Sequence, residues 1–595
     1  MKKLLMGNEA MAYGAVEAGV QVAAAYPGTP SSEIFSTLAA MAEDNGIYAE
    51  WSTNEKVALE VAAGACYAGA RALVTMKQVG LNVAADPLMT LAYIGIKGGL
   101  VVVVADDPGP HSSQNEQDTR KFAQFAKLPV LDPATPQEAK DMMVSAFDIS
   151  EQLGLPVILR PTTRTCHVCQ DVTVSQQRQQ HQATGFEKSP KWVIFPSLAI
   201  KQHIWLNQQQ QKAAEIFSLL HYNTATYRGK IGVVACGVSY NYVKEAIAKL
   251  GVELSLLKIG TPYPLPQQLA LEFMQRHDRI LVVEEQEPVV EDQLIKLAWE
   301  NQLPLTIKGK ALYVPREGEL NVDKVAQSIA SFLGIKLSNN QTLPLPALPM
   351  RPPVLCAGCP HRASFYAFKQ VADKDAVFAG DIGCYTLGNM APLNATDTCL
   401  CMGASVNIAS GMQRVEPKRQ HIAFLGDSTF FHTGIPGLIN AVYNRANITL
   451  VVLDNRTTAM TGHQPHPGLG CTATGQQTVN LDIVKIVSAL GVEKVLEADP
   501  YDLAAAKAAA AEAINFDGPA VVVMRRQCVA LKNRPKQLPK KINAELCLEC
   551  RVCIEELGCS AITLQDDQPA IDVSSCSGCG LCAQVCPAHA IEEVR

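Results

Sequence analysis

Two groups of residues in this chain have types and spacings suited to chemistry. The first is an acid and an amide. A short apolar run, Ile422, Ala423, Phe424 and Leu425, ends in Gly426-Asp427, and a second apolar run over 448–453 closes on Asp454-Asn455. Between them Ile435, Leu438, Ile439 and Val442 recur with the i, i+3, i+4, i+7 period of a helix. The pattern predicts a strand–helix–strand unit with Asp427 and Asn455 at the ends of its strands. In an open parallel sheet both ends lie on one rim, where ligands bind. Carboxylate and amide oxygens there suit Mg²⁺, which takes one or two protein ligands and completes its shell from phosphates and water. An ordinary βαβ unit with incidental polar ends is the alternative, because Gly-Asp and Asp-Asn are common turn pairs.

The second group is thiol. Of nineteen cysteines, eight fall between Cys547 and Cys586. Cys547, Cys550, Cys553 and Cys559 are spaced C-x2-C-x2-C-x5-C, and Cys576, Cys579, Cys582 and Cys586 are spaced C-x2-C-x2-C-x3-C, with Pro587 next. The triplets are offset by 29 residues and carry similar tails, an internal duplication. Such clustering argues for metal rather than disulfides. The second arm resembles the bacterial ferredoxin run, whose fourth Cys ligates the other of two [4Fe–4S] clusters. By that likeness Cys547, Cys550, Cys553 and Cys586 hold one cluster, and Cys559, Cys576, Cys579 and Cys582 hold the other. The first arm departs from the pattern in its longer last spacer and in Ser560 where Pro is usual. Zinc is the alternative for paired CxxC, but it fits poorly with a third Cys in each triplet and a final Cys-Pro.

The elements that must position these groups are read from the same periodicities. Residues 1–175 alternate small-residue helices with short strands such as Val101-Val102-Val103-Val104. Three loops stand out: 26–33 opening a helix, Asn54-Glu55 before an Ala/Gly-rich helix, and a polar loop over 111–120 ending in Arg120. Residues 176–225 are Gln-rich and read as a connector, partly helical around 212–220. Residues 226–336 form a middle α/β domain with strands at 231–235, 254–259 and 279–284 and a helix at 239–250. A Pro-rich linker over 337–354 leads to a third α/β unit over 355–530. A basic linker over 531–541 then leads to the cysteine module, 542–595.

Composition narrows the class. The chain has 595 residues, 48% hydrophobic and 18% charged, with a net charge of −6. That describes a globular protein with large cores, and with no Lys/Arg-rich block nucleic acid is not an expected partner. Asn8, Glu9 and Glu17 break any signal-like apolar region, and no run approaches the ~18 apolar residues of a membrane span. No membrane association is expected, and the expected location is cytoplasmic.

The Gly-Asp…Asn unit resembles the thiamine diphosphate motif, and the likeness implies Asp427, Asn455 and the carbonyl of Thr457 as Mg²⁺ ligands. Over nearly its whole length the chain resembles the 2-oxoacid:ferredoxin oxidoreductases, closest to their indolepyruvate branch. The residues that carry this include Tyr26-Pro27-Gly28-Thr29-Pro30, Met76-Lys77-Gln78-Val79-Gly80, Asp107-Pro108-Gly109, Cys356-Ala357-Gly358-Cys359-Pro360-His361-Arg362, Asp381-Ile382-Gly383-Cys384-Tyr385, Cys401-Met402-Gly403-Ala404-Ser405 and Thr458-Ala459-Met460-Thr461-Gly462. The implied architecture is α/β. A pyrimidine-binding domain and a diphosphate-binding domain are open parallel sheets with helices on both faces; between them lies the middle domain, and a two-cluster ferredoxin-like α+β domain follows.

The resemblance assigns Glu55 to the aminopyrimidine ring, Thr29 to the neighbourhood of the reacting carbonyl and Arg120 to the substrate carboxylate. Cys359, His361, Gly403 and Gly426 border the diphosphate, where backbone N–H groups favour anions. It implies oxidative decarboxylation of an arylpyruvate, indolepyruvate foremost, with CoA as co-substrate. The products are an aryl-acetyl-CoA and CO2, and electrons pass from the thiamine enamine through the clusters to ferredoxin. A smaller partner subunit is expected, since no CoA domain is evident. The alternatives are the same chemistry on phenylpyruvate, pyruvate or a branched-chain 2-oxo acid, or a non-catalytic electron-transfer subunit. Two isolated CxxC pairs, Cys356/Cys359 and Cys166/Cys169, read as loop packing.

Overall fold

The computed structural model describes residues 1–175, 177–310, 312–337, 346–349, 351–535 and 537–594. The chain divides into two compact units, Met1–Leu345 and Pro346–Arg595. Half of the expected linker over 337–354 lies outside the described residues.

In the first unit the N-terminal half is a six-stranded sheet built from β1 (Val22–Ala25), β2 (Tyr48–Trp51), β3 (Ala72–Lys77), β4 (Leu100–Ala105), β5 (Val130–Leu131) and β6 (Val157–Leu159). The strand order is β2-β1-β3-β4-β6-β5, and every pairing is parallel. All six residues of β3 and all six of β4 are buried. Strands covered on both faces read as unbroken apolar runs rather than alternating ones. Helices α1 (Ser32–Ala42), α2 (Glu55–Tyr67), α3 (Gln78–Val83) and α4 (Pro136–Leu153) make the crossovers.

The Gln-rich segment is more ordered than its polarity suggests. Pro196–Leu219 (α5) is one 24-residue helix burying only Leu206, Ala213, Ala214 and Phe217. Gln is a good helix former, so the run carries a long exposed helix. The second half of this unit is a five-stranded sheet of β7 (Thr224–Thr226), β8 (Ile231–Cys236), β9 (Ser255–Ile259), β10 (Arg279–Val283) and β11 (Thr306–Lys308), ordered β11-β10-β8-β9-β7.

The second unit holds the opening motif. α6 (Pro360–Val371), β12 (Val377–Ala379), α7 (Ala404–Val415), β13 (His421–Gly426), α8 (Ile435–Tyr443), β14 (Thr449–Asp454), β15 (Lys494–Ala498), α9 (Leu503–Ile514) and β16 (Ala520–Arg525) form a parallel sheet of order β12-β13-β14-β16-β15. Alternate strand residues feed separate cores. Phe424, Val451 and Val522 pack on one face with Phe365, Phe368 and Ala510, while Leu425, Val452 and Val523 pack on the other with Val406 and Leu438. The predicted helical stripe is narrower than expected: Leu438 is buried, but Ile439 is 47% exposed. Asp427 to Gly434 adds a helical turn and a π-turn ahead of α8; π-turns recur at functional sites.

The cysteine module is two related halves: β17 (Lys540–Ile542), α10 (Val552–Glu555), β18 (Ile562–Gln565), β19 (Gln568–Ile571), α11 (Leu581–Val585) and β20 (Ile591–Glu593). β17 pairs with β20 and β18 with β19, both antiparallel. The duplication extends to the backbone. Gly578 and Gly580 have φ of 76° in the second half, and Glu549 and Arg551, at the matching places in the first, have φ of 55° and 57°. Within this unit the module packs on α6 and α9 through Leu557, Ile562, Leu581 and Ile591 against Ala363, Tyr366 and Leu503.

Candidate active site

β13 and β14 are adjacent and parallel, with Gly426 beside Leu453, so Asp427 and Asn455 emerge on one rim. Both are buried. The N–H of Thr457 donates to Asp427 Oδ2 at 3.3 Å and to Asn455 Oδ1 at 3.2 Å. One donor shared by two oxygens means that the oxygens converge, as a small hard cation needs. Ser428 N–H donates to Asp427 Oδ1 at 2.8 Å, and His466 Nε2 lies 3.0 Å from Oδ2. Burial works to raise the Asp427 carboxyl, but His466 and the Ser428 N–H hold it below its ordinary value. The neighbouring Asp454 is raised instead, by burial and by the charge of Asp427.

Cys359 caps α6, and His361 in its first turn lies with Nε2 3.2 Å from Asn455 Nδ2. Burial lowers the His361 pKa to about 4, so the ring is neutral at physiological pH. Tyr385 completes the wall: its hydroxyl donates to Ile382 O at 2.7 Å and lies 2.9 Å from Thr429 Oγ1. A Cβ on Gly426 would lie 2.6 Å from its ring, so only glycine admits that tyrosine here.

Gly403 is placed differently from the expectation. The N–H groups of Gly403 and Ser405 donate to Asp381 at 2.9 and 3.0 Å, and Ala404 N–H donates to Cys401 O at 3.1 Å. The anion at this helix start is the chain's own carboxylate, and its amides are not open to a diphosphate. Burial raises Asp381 to about 6.

In the first unit Glu55 is the first residue of α2, capped by Asn54, whose side chain accepts from Val57 N–H at 2.9 Å. Its carboxyl is buried against α3, where a Cβ on Gly80 would lie 2.4 Å from Oε1. Thr29 sits in the loop after β1, where Ser112 Oγ donates to its carbonyl at 3.3 Å. Lys77, at the end of β3, donates to Ser112 O at 2.7 Å; burial lowers its pKa to about 8. Arg120 does not join this group. Its guanidinium donates to both oxygens of Asp118 at 3.0 and 2.7 Å, to Glu284 Oε2 at 2.7 Å, and to the carbonyls of Glu285 and Glu287. A fully buried fork paired with two carboxylates ties the two sheets of this unit together, and its charge is already met by Asp118 and Glu284.

The eight clustered cysteines line two cavities. Cys559, Cys576, Cys579 and Cys582 line one, and Cys547, Cys550, Cys553 and Cys586 line the other. Each cavity thus takes three thiols from one triplet and the fourth from the other arm. The isolated CxxC is also less isolated than its sequence: Cys384 and Cys528 come close enough to Cys356 to feel its charge. Cys166 is buried, and Cys169 is exposed on a strand paired with Met6.

His466, Tyr385, Asp381, Gly80 and Lys77 were not assigned roles from sequence. Asp381, Tyr385, Lys77 and Gly80 lie within the motifs that carried the resemblance, and only their contacts give them work. His466 carried no signal.

Parallel α/β halves with a Gly-Asp…Asn rim, joined to a cysteine module, define a thiamine-dependent oxidoreductase passing electrons to iron–sulfur groups. Residues 13–218 match the family described as pyruvate flavodoxin/ferredoxin oxidoreductase, thiamine diphosphate-binding, and 381–524 match the C-terminal domain of thiamine pyrophosphate enzymes. Residues 222–343 match the indolepyruvate oxidoreductase domain, and 569–592 match the 4Fe-4S binding domain. The chain is 44% identical to indolepyruvate oxidoreductase subunit IorA of Pyrococcus horikoshii, covering 100% of this chain and 97% of the relative. It is 45% identical to that of Pyrococcus abyssi over 100% and 97%, and 44% identical to that of Archaeoglobus fulgidus over 100% and 98%. The chain belongs to the indolepyruvate oxidoreductase subunit IorA family, and with it to the 2-oxoacid:ferredoxin oxidoreductases. Among the described residues no helix is long and apolar enough to cross a membrane.

Proposed function

We propose that this chain oxidatively decarboxylates arylpyruvates, indolepyruvate foremost, with CoA as acyl acceptor, giving an aryl-acetyl-CoA, CO2 and reduced ferredoxin. Thiamine diphosphate, when bound, would supply the nucleophilic carbon and the electron sink that decarboxylation of a 2-oxo acid needs. Asp427, Asn455 and the carbonyl of Thr457 would hold Mg²⁺, and the ionised state of Asp427, kept by His466, suits that task. Neutral His361 and Tyr385 exclude water from this rim. Glu55 holds the aminopyrimidine and shares its proton, and Thr29 lies by the reacting carbonyl. The crossed cysteine sets would hold two [4Fe–4S] clusters, which would supply one-electron acceptors. A smaller subunit, in keeping with relatives that are themselves named as one subunit of an oxidoreductase, completes the complex in the cytoplasm.

The observation that carries this reading is the crossed lining of the two cavities, in the same unit as the convergent Asp427 and Asn455 oxygens. The test is anaerobic viologen reduction by the complex with indolepyruvate, phenylpyruvate, pyruvate and 2-oxoglutarate, with and without CoA. Preference for the aryl substrates and dependence on CoA are expected. Equal turnover of pyruvate overturns the aryl assignment, and turnover indifferent to CoA overturns the acceptor.

A further inference from the structure

The cavity lined by Cys559, Cys576, Cys579 and Cys582 has one wall from outside the cysteine module: Gly358 and Arg362, at the start of α6. Arg362 is 3% exposed. Its Nη2 donates to Leu355 O at 2.8 Å, and its Nη1 donates to Leu557 O at 3.1 Å and to Gly558 O. Among the described residues its buried Nε–H has no acceptor. Burial pulls the Arg362 pKa down, while the nearby Cys559, Cys359, Cys579 and Cys356 work against it.

The other cations at the cavities are neutralised. Lys540, beside the same cavity, pairs with Glu593 at 2.5 Å, and Arg551, beside the second cavity, pairs with Asp567 at 2.8 Å. Arg362 has only carbonyls. A guanidinium cannot shed its proton in a protein, and a buried charge without a counter-charge is costly. The anion its surroundings supply is the group the four cysteines hold.

We infer that Arg362 is the positioning residue that sets the reduction potential of the Cys559/Cys576/Cys579/Cys582 cluster, raising it above that of its twin so that it fills first. The inference rests on the two-cluster reading above. Reduction adds one electron and one negative charge to a four-thiolate cluster, and a buried cation favours the reduced form. Net charge, hydrogen bonds to sulfur and solvent exposure are the levers a protein has on such potentials. Because Arg362 follows His361, which touches Asn455, the same helix turn borders both the cofactor rim and the cluster cavity.

The test is an anaerobic redox titration followed by electron paramagnetic resonance on the full complex, comparing wild type, Arg362→Gln and Arg362→Lys. Iron content and two resolvable signals establish the cluster reading independently. Cys579→Ser identifies which signal belongs to the cavity in question. In Arg362→Gln that cluster alone should become at least tenfold harder to reduce, 59 mV for one electron, and Arg362→Lys should recover more than half of the shift. Unchanged potentials in Arg362→Gln, or equal shifts in both clusters, overturn the inference. Should Arg362→Gln fail to retain iron, the wild-type protein decides: the assigned cluster must titrate first by at least tenfold, and coincident or reversed potentials overturn the inference.

Discussion

Substituting Gly80 by Ala separates the position of the Glu55 carboxylate from the stability of the fold. Gly80 lies in a helix, where Ala is intrinsically favoured over Gly by about 1 kcal/mol. The added Cβ would lie 2.4 Å from Glu55 Oε1, 2.8 Å from Cγ and 2.9 Å from Cδ. Relief of the nearest contact requires the carboxyl to retreat by about 1 Å, and a displacement of that size costs about a hundredfold in rate, or about 2.7 kcal/mol. The far end of a glutamate moves cheaply, so the unfolding midpoint should hold or rise while kcat/KM for the 2-oxo acid falls about a hundredfold. Substrate-dependent viologen reduction and anaerobic thermal unfolding, with cluster absorbance as the control, read the two quantities separately. A Gly80→Ala protein within threefold of wild-type kcat/KM at unchanged stability would refute the reasoning, since Glu55 would then not need its observed place.

Three further outcomes follow. Because burial raises Asp381 to about 6 while an unfolded Asp stays near 3.9, the folded chain binds the extra proton between those values. The contribution of Asp381 to stability is therefore fully present below pH 4 and is lost, up to about 3 kcal/mol, as pH rises through 6; relative to wild type, denaturation curves of Asp381→Asn should lack that component of the pH dependence. Cys586→Ser should alter the spectrum of the cluster held by Cys547, Cys550 and Cys553 and leave the Cys576 triplet's signal in place; the reverse would break the crossed assignment. Arg120→Gln strands Asp118 and Glu284 in the interior and should cost about 3–5 kcal/mol of stability; a stable variant with only a raised KM would return Arg120 to the substrate.

The strand–helix–strand unit was readable because its signals are local: two apolar runs, a turn pair after each, and a helical stripe between. The helix at Ser239–Leu250 was readable for the same reason. What escaped depends on distance. Arg120 reads as a free loop cation until Glu284, 164 residues on, takes its guanidinium. His466 reaches Asp427 across 39 residues from a segment with no periodicity. Gly403 opens a helix as its position suggests, but the anion it meets, Asp381, is 22 residues upstream. Periodicity also cannot fix the width of a buried stripe, which is why Ile439 faces solvent. The cysteine pattern was the most fully readable feature, because tight turns dictate both the spacing and the lining of each cavity.

In the proposed function, the Asp427–Asn455 rim feeds electrons to the cysteine module. Anaerobic complex loaded with thiamine diphosphate and Mg²⁺ should lose its visible cluster absorbance within one turnover of indolepyruvate. Asp427→Ala should keep its iron and its bleaching by dithionite but lose bleaching by the 2-oxo acid. Substrate-driven bleaching that survives in Asp427→Ala would contradict the account.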